Sequence, residues 1–426
     1  MMTLKQSVAR LCLCLPIVAG ALIIEAGPAL AEGKVHLFHR SAAEPMRAPR
    51  MAMWNHCAEK LEIEIIENFT PPKQYEVQLP VQLSSATPPD IYAYWAGGRS
   101  QFQAATGKIR AMNDIWDEIK GNYPPGVQAT STEPDGNVYT VPTTFQPNVF
   151  WYNKRVFAEH GLEPPQSWEE LLDVAAKLKE AGVTPFLLGS KSGWEPLLWF
   201  DYMVLRVAGS EFRSGLMAGT ESYLDPRVIE AMELWKELLE AGYFNDRTSS
   251  LGWQEMATKF VKGEGAMELM GTWTVGNFIR AGLEPGEDFD VFDFPPIKEG
   301  IDLTVEGAVE GWAASGAGEN TENALAMLKC VSEREPQELF AAQAQRMAAN
   351  KDVPVEIYEP ASFQPTIEKF QDMLDAPFHQ NLELATHPGV TEVAKRELPR
   401  FLAYPDQYMK VLEMLEDRRN EVFGDS

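Results

Sequence analysis

Cysteine is scarce in this chain: Cys12, Cys14, Cys57 and Cys330 are the only four in 426 residues. A small disulfide-stapled scaffold is excluded, and no Cys/His group has the spacing of a zinc site. Histidine is nearly as sparse, with six in all. His36 and His39 stand three apart in a predicted strand, which points them to opposite faces and makes them poor co-ligands. No metal or other cofactor is expected. Positive charge is in deficit, with 37 Lys and Arg against 62 Asp and Glu and a formal net charge of −25. So acidic a surface repels nucleic acid and anionic lipid, and no basic stripe offsets it. The Gly-x-Ser-x-Gly elbow, the Walker loop and the dinucleotide fingerprint are missing. Gly263-x-Gly265 and Gly316-x-Gly318 lack a third glycine and read as turns. Internal repeats and low-complexity tracts are absent too.

The N-terminus reads as a targeting segment. Lys5 and Arg10 precede the apolar run Leu11–Ile24, and Ala29-Leu30-Ala31 is a small-residue cleavage signal. The run is short for a membrane span, and no stop-transfer pattern follows. Cys12 and Cys14 lack the context of a lipoprotein signal. Residues 1–31 are expected to be removed and the protein exported. Removal leaves 395 residues and a formal charge of −26, because Lys5, Arg10 and Glu25 go with the segment. That length suggests two lobes rather than one core. Only Cys57 and Cys330 remain; an oxidising compartment permits a bridge, but sequence separation says nothing of distance. The reading favours two buried thiols.

From Lys34 the chain alternates strand and helix. Strands are predicted at Lys34–His39, Ile63–Asn68 and Ile91–Tyr94, with helices over Met46–Lys60 and Lys73–Ser84. This is the opening of a parallel α/β sheet, in which ligands sit beyond the carboxyl ends of the strands. Two loops fall there, Ser41–Arg47 and Trp95–Ser100. A strand–helix–helix–strand unit follows over Phe145–Gly189, its second helix opened by the capping box Ser167-Trp168-Glu169-Glu170 and closed by Gly182. Asp225-Pro226 opens a further helix. Later strands are predicted at Ala266–Met270, Phe289–Phe294 and Ala308–Ala314, and the last helix over Pro399–Arg418.

Aromatic residues are present where few are needed for a core. Trp95, Trp194, Trp273 and Trp312 each stand beside a glycine or at a predicted turn. An indole in a loop presents a broad flat face with an N–H at its edge, which suits the apolar C–H faces and hydroxyls of a sugar ring. Any one of them alone could equally be a core residue; four in such contexts point to a binding surface.

The central unit resembles a known family. Val141-Pro142, Trp151-Tyr152-Asn153-Lys154, Ser167-Trp168-Glu169-Glu170-Leu171 and Ala181-Gly182-Val183-Thr184-Pro185 are similar to the hallmark of family 1 extracellular solute-binding proteins. These are the sugar-capturing subunits of bacterial ABC importers, with maltose-binding protein as a relative. A second block, Phe260 to Trp273, agrees, and a third around Gly311-Trp312 is weaker. The resemblance runs to about residue 345.

It implies an α/β fold of the type II periplasmic-binding kind, two lobes joined by a multi-strand hinge. The N-terminal lobe would take residues 32–140 and 291–332, and the C-terminal lobe 141–290 and 333–426. Crossings are expected near Tyr139–Thr144, Asp290–Pro296 and Lys329–Glu335. It implies a monomeric periplasmic receptor whose partners are a sugar or sugar derivative and the transmembrane permease subunits. By position, Trp95, Trp273 and Trp312 match aromatic cleft residues, Gln146 a polar cleft residue, and Glu44 a carboxylate used on sugar hydroxyls; Trp194 joins them as a loop tryptophan. Arg47 departs from the pattern, and either pairs with Glu44 or binds an anionic group. An anionic-sugar receptor on the same scaffold therefore stays open. Carboxylates are plentiful enough to allow a glycosidase pair, so an exported glycoside hydrolase is a further alternative with no motif behind it. The chain is read as a binder, not an enzyme.

Overall fold

The computed structural model describes residues 33–41, 44–301, 303–375 and 378–424. The expected signal peptide lies outside them. Among the described residues no helix is long and apolar enough to cross a membrane.

Among the described residues nine strands build the frame: β1 (Gly33–Arg40), β2 (Ile63–Thr70), β3 (Ile91–Trp95), β4 (Val141–Asn153), β5 (Thr184–Leu187), β6 (Gly265–Gly271), β7 (Phe289–Phe292), β8 (Val305–Ala314) and β9 (Phe378–Gln380). β1 pairs in parallel with β2 and β3, as the alternating strand–helix pattern requires, and β3 pairs antiparallel with β8. β8 in turn pairs antiparallel with Val141–Pro147 of β4. At Asn148 the partner of β4 changes to β6, and from Phe150 it also pairs with β7. β5 completes this second group beside β6. One 13-residue strand, buried along its whole length, is thus shared by two sheets. Because it is covered on both faces, its sequence does not alternate apolar with exposed polar residues.

This moves the first crossing. It lies at Pro147–Asn148, inside a continuous strand, not at Tyr139–Thr144. Pro142 only accompanies a register irregularity between Pro142 and Thr144. The third crossing moves as well. The helix Arg334–Ala344 packs on the helix Glu44–Leu61 of the first lobe. The chain then runs along β4, with Phe145 N–H donating to Met347 O (3.1 Å) and Ala349 N–H to Thr143 O (3.2 Å).

Local signals explain many elements. Ser167 Oγ accepts from Glu170 N–H at 3.2 Å, as an N-cap should. The reciprocal half of the box is displaced by one residue: Glu170 accepts from Gln166 N–H (2.7 Å) instead of Ser167 N–H. Asp225 caps the helix Pro226–Glu240 by accepting from Arg227 N–H at 2.9 Å. At the C-terminus the expected single helix is two, Pro388–Ala403 and Tyr408–Phe423. The break falls before Pro405, where Tyr404 is held out of the helical region at φ −138° and ψ 71°. Pro399 is carried inside the first helix, whose buried Leu398 and Phe401 hold it against the core.

Cys57 and Cys330 form a disulfide between the helices Glu44–Leu61 and Thr321–Val331, with Cα atoms 5.8 Å apart. The expectation of two thiols was wrong. Both helices pack in the first lobe, an adjacency that a sequence separation of 273 does not disclose.

Candidate ligand-binding site

A cavity of about 790 Å³ brings together residues from strand ends and loops of both lobes. That volume is in the range of small-molecule sites. Trp95 comes from the end of β3, Trp194 precedes the helix Glu195–Ala208, Trp253 opens the helix Trp253–Val261, and Trp273 follows β6.

Backbone geometry places the second-lobe indoles. Gly193, at φ +83°, turns the chain just before Trp194, and a Cβ there would come within 2.5 Å of Lys395 O. The Trp273 ring folds back over Gly271, where a Cβ would fall 1.8 Å from its Cζ3. Trp194 and Trp273 then meet edge to face, centroids 5.8 Å apart at 64°. Both stay partly exposed. Trp95 is different. It is 7% exposed, and the Arg40 guanidinium lies over its ring with Cζ 4.2 Å from the centroid. Arg99 Cζ is 5.4 Å away.

The turn after Trp95 is held by a buried carboxylate. Glu133 Oε1 accepts from Gly97 N–H (2.7 Å) and Ser100 O–H (2.7 Å). Burial pushes its pKa up to about 7, against the lowering by those two donors.

The polar lining is mostly charged. Arg40 Nη2 hydrogen-bonds Glu310 Oε1, and Arg346 Nη1 lies 3.5 Å from Glu310 Oε2. Arg50 donates to the Arg40 carbonyl. Burial alone would raise the Glu310 pKa, but Arg40, Arg346 and Arg50 outweigh it and bring it down to about 2. Burial, followed by the neighbouring Arg40 charge, lowers Arg50 to about 9, so it keeps its charge at neutral pH. Elsewhere on the lining, Glu383 Oε1 meets Lys395 Nζ at 2.5 Å, and Glu255 Oε1 meets Lys191 Nζ at 3.5 Å. A smaller cavity shares Arg40, Arg50 and Glu310 with the large one and is lined further by Thr143, Thr144 and Trp312.

Of the residues expected from sequence, Trp95, Trp194 and Trp273 line the large cavity together. Trp312 does not. It is 2% exposed and packs edge to face on Trp54, centroids 4.8 Å apart. Gln146 is fully buried in β4, its Nε2 donating to Thr144 Oγ1 at 3.2 Å. Arg47 is engaged elsewhere: its Nε and Nη2 donate to the two Glu67 oxygens at 2.9 and 2.6 Å, with Cζ 4.8 Å from the Phe69 centroid. The helix starts at Glu44 rather than Met46, so position 47 lies in its first turn and contacts β2 instead of standing in a cleft loop. The Glu44 side chain is outside the described residues. Sequence reasoning missed Glu310, Arg346 and Trp253. Gly252-Trp253 repeats the glycine–tryptophan pattern of Gly193-Trp194 and could have been found by it.

Two lobes sharing crossing strands, with an aromatic and charged cavity lined from both, define a class of small-molecule receptor. Residues 58–338 match the family model described as bacterial extracellular solute-binding protein, and the chain belongs to that family. An uncharacterized ABC transporter extracellular-binding protein of Pyrococcus horikoshii is 32% identical over 64% of this chain and 61% of its own. A probable sugar-binding periplasmic protein of Rhizobium meliloti is 28% identical over 43% of this chain and 44% of its own. The chain thus spans less than two thirds of the length of these curated relatives. Among solved structures, a chitin oligosaccharide binding protein superposes with a TM-score of 0.77, at 22% identity, over 91% of this chain and 98% of that one. The fold is accordingly the two-lobed periplasmic-binding fold.

Proposed function

We propose that this protein is an exported receptor that encloses a carbohydrate between its lobes and presents it to the membrane subunits of an ABC importer. The observation that carries the reading is the edge-to-face pair Trp194–Trp273 on a cavity of about 790 Å³ whose remaining lining is hydrogen-bonding and charged. Indole faces receive the C–H faces of a pyranose, and the polar groups replace the water lost from its hydroxyls. No bond is made or broken. Ligand favours the closed form, and the permease distinguishes closed from open by that shift in population. Residues 1–31 direct export and are removed, and the receptor acts as a monomer. We take the first lobe as residues 33–147 and about 300–346, and the second as 148 to about 299 with most of the chain after 350, a division that the change of partner along β4 and the packing of Phe294 on Phe150 support.

Thermal-shift screening of the purified chain against sugars, polyols and sugar acids tests this, since a ligand of the native state raises its melting temperature by mass action. A stabilising saccharide is expected. Stabilisation by none of them, or turnover of a glycoside, would contradict the reading.

A further inference from the structure

The cavity runs against the charge of the molecule. The chain carries a net −25, yet among the described residues six cationic side chains line the cavity against four carboxylates. The excess gathers on four arginines, Arg40, Arg50, Arg280 and Arg346, which share the cavity with Glu310. Glu310 is ion-paired with Arg40 and Arg346, and the charges of Arg50 on Glu310 and of Arg280 on Arg346 are both felt. Among the described residues Arg280 also donates to the neutral Asn277 Oδ1, at 2.6 Å. Among the described side chains of this cluster, one carboxylate against four guanidiniums leaves three positive charges in excess. The Arg40 and Arg346 side chains are only 19% and 16% exposed, so water screens them poorly.

A neutral sugar can accept hydrogen bonds from these groups but leaves their mutual repulsion in place, and closure would bury it further. An anionic group offsets the charge and takes guanidinium donors in matched pairs. Glu310 cannot serve ligand hydroxyls as freely as a solvent-facing carboxylate, because each of its oxygens already faces an arginine. Its place is to hold Arg40 and Arg346 apart and aimed at the cavity.

We infer that the ligand is a saccharide carrying an anionic group, a carboxylate or a phosphate ester, received by Arg40, Arg280 and Arg346 while the ring lies on the Trp194–Trp273 side. This rests on the carbohydrate reading and narrows it.

Calorimetry on the full mature chain at low salt tests it, with D-glucuronate, D-galacturonate and D-glucose 6-phosphate each set against the neutral parent sugar. At least one anion is expected to bind tenfold or more tightly than its parent; the acids against the ester tell carboxylate from phosphate. Arg280→Gln and Arg346→Gln are each expected to reduce that preference at least tenfold. Circular dichroism confirms that both variants fold, and Arg280 lies outside the Glu310 pairs should Arg346→Gln not fold. Neutral sugars binding as tightly as the anions, or a preference that survives both substitutions, would overturn the inference and leave the carbohydrate reading standing. Binding of neither kind of sugar would remove both. Binding of inorganic phosphate alone, dependent on the same arginines, would keep the anion subsite and remove the sugar.

Discussion

The Arg40 guanidinium lies over the Trp95 indole, its Cζ 4.2 Å from the ring centroid. The face of Trp95 that a sugar would need on that side is therefore occupied by a cation held in place by Glu310. Trp194 and Trp273, half-buried and paired with each other, keep their outer surfaces. Alanine at either is expected to cost about 1–3 kcal/mol of saccharide affinity. Trp95→Ala should instead lower the melting temperature, with a smaller effect on affinity. Calorimetry and melting curves on the three variants separate these, and equal affinity losses at all three would mean that Trp95 also stacks on ligand.

Gly271 should be intolerant for a reason outside its own backbone. Its φ of −69° and ψ of 158° suit alanine. A methyl group there would nonetheless collide with the Trp273 ring, which must then swing away from Trp194. Gly271→Ala is expected to weaken ligand binding about as much as Trp273→Ala, with secondary structure intact by circular dichroism. Undiminished affinity would show that the ring position is not used.

Glu133 should make the fold more stable in mild acid than in mild base. Its carboxyl is raised to about 7 in the folded chain, above the unfolded value near 4.5. Between those values the native state holds the extra proton, so stability falls as pH rises through that window. Glu133→Gln keeps an Oε1 acceptor for Gly97 N–H and Ser100 O–H while removing the charge. Urea melts from pH 5 to 8 should show a flatter profile for the variant and a gain over the parent at pH 8. Parallel profiles would contradict this.

Reducing the Cys57–Cys330 bridge, or replacing both residues with serine, is expected to cost about 2–5 kcal/mol of stability. Neither residue lines the cavity. Denaturant midpoints should fall and ligand affinity per folded molecule should hold. A large affinity loss in the folded variant would tie the bridge to the site.

Much of the frame was legible because its cues are local. Strand alternation in β1, the capping residues Ser167 and Asp225, and the Gly–Trp turns are read within a few residues of each other. What was missed depends on distance. The partner switch in β4 at Pro147–Asn148 falls inside a single strand that stays buried throughout, so no break in the strand marks it. Trp312 follows a glycine just as Trp194 does, yet Trp54 from a helix nearly 260 positions earlier covers it. Arg47 reads as a loop residue in the sequence, but its helix begins at Glu44 and places it in the first turn. The charged floor combines Arg40, Glu310 and Arg346 from three distant segments, and only the fold sums their charge.

A saccharide is expected to bind on the Trp194–Trp273 pair. Titration calorimetry of the double variant Trp194→Ala/Trp273→Ala with the saccharide that most raises the melting temperature of the parent tests it most directly. One site per chain in the parent, and a loss of affinity of at least a hundredfold in a folded double variant, are the results expected. Affinity within twofold of the parent would contradict the account.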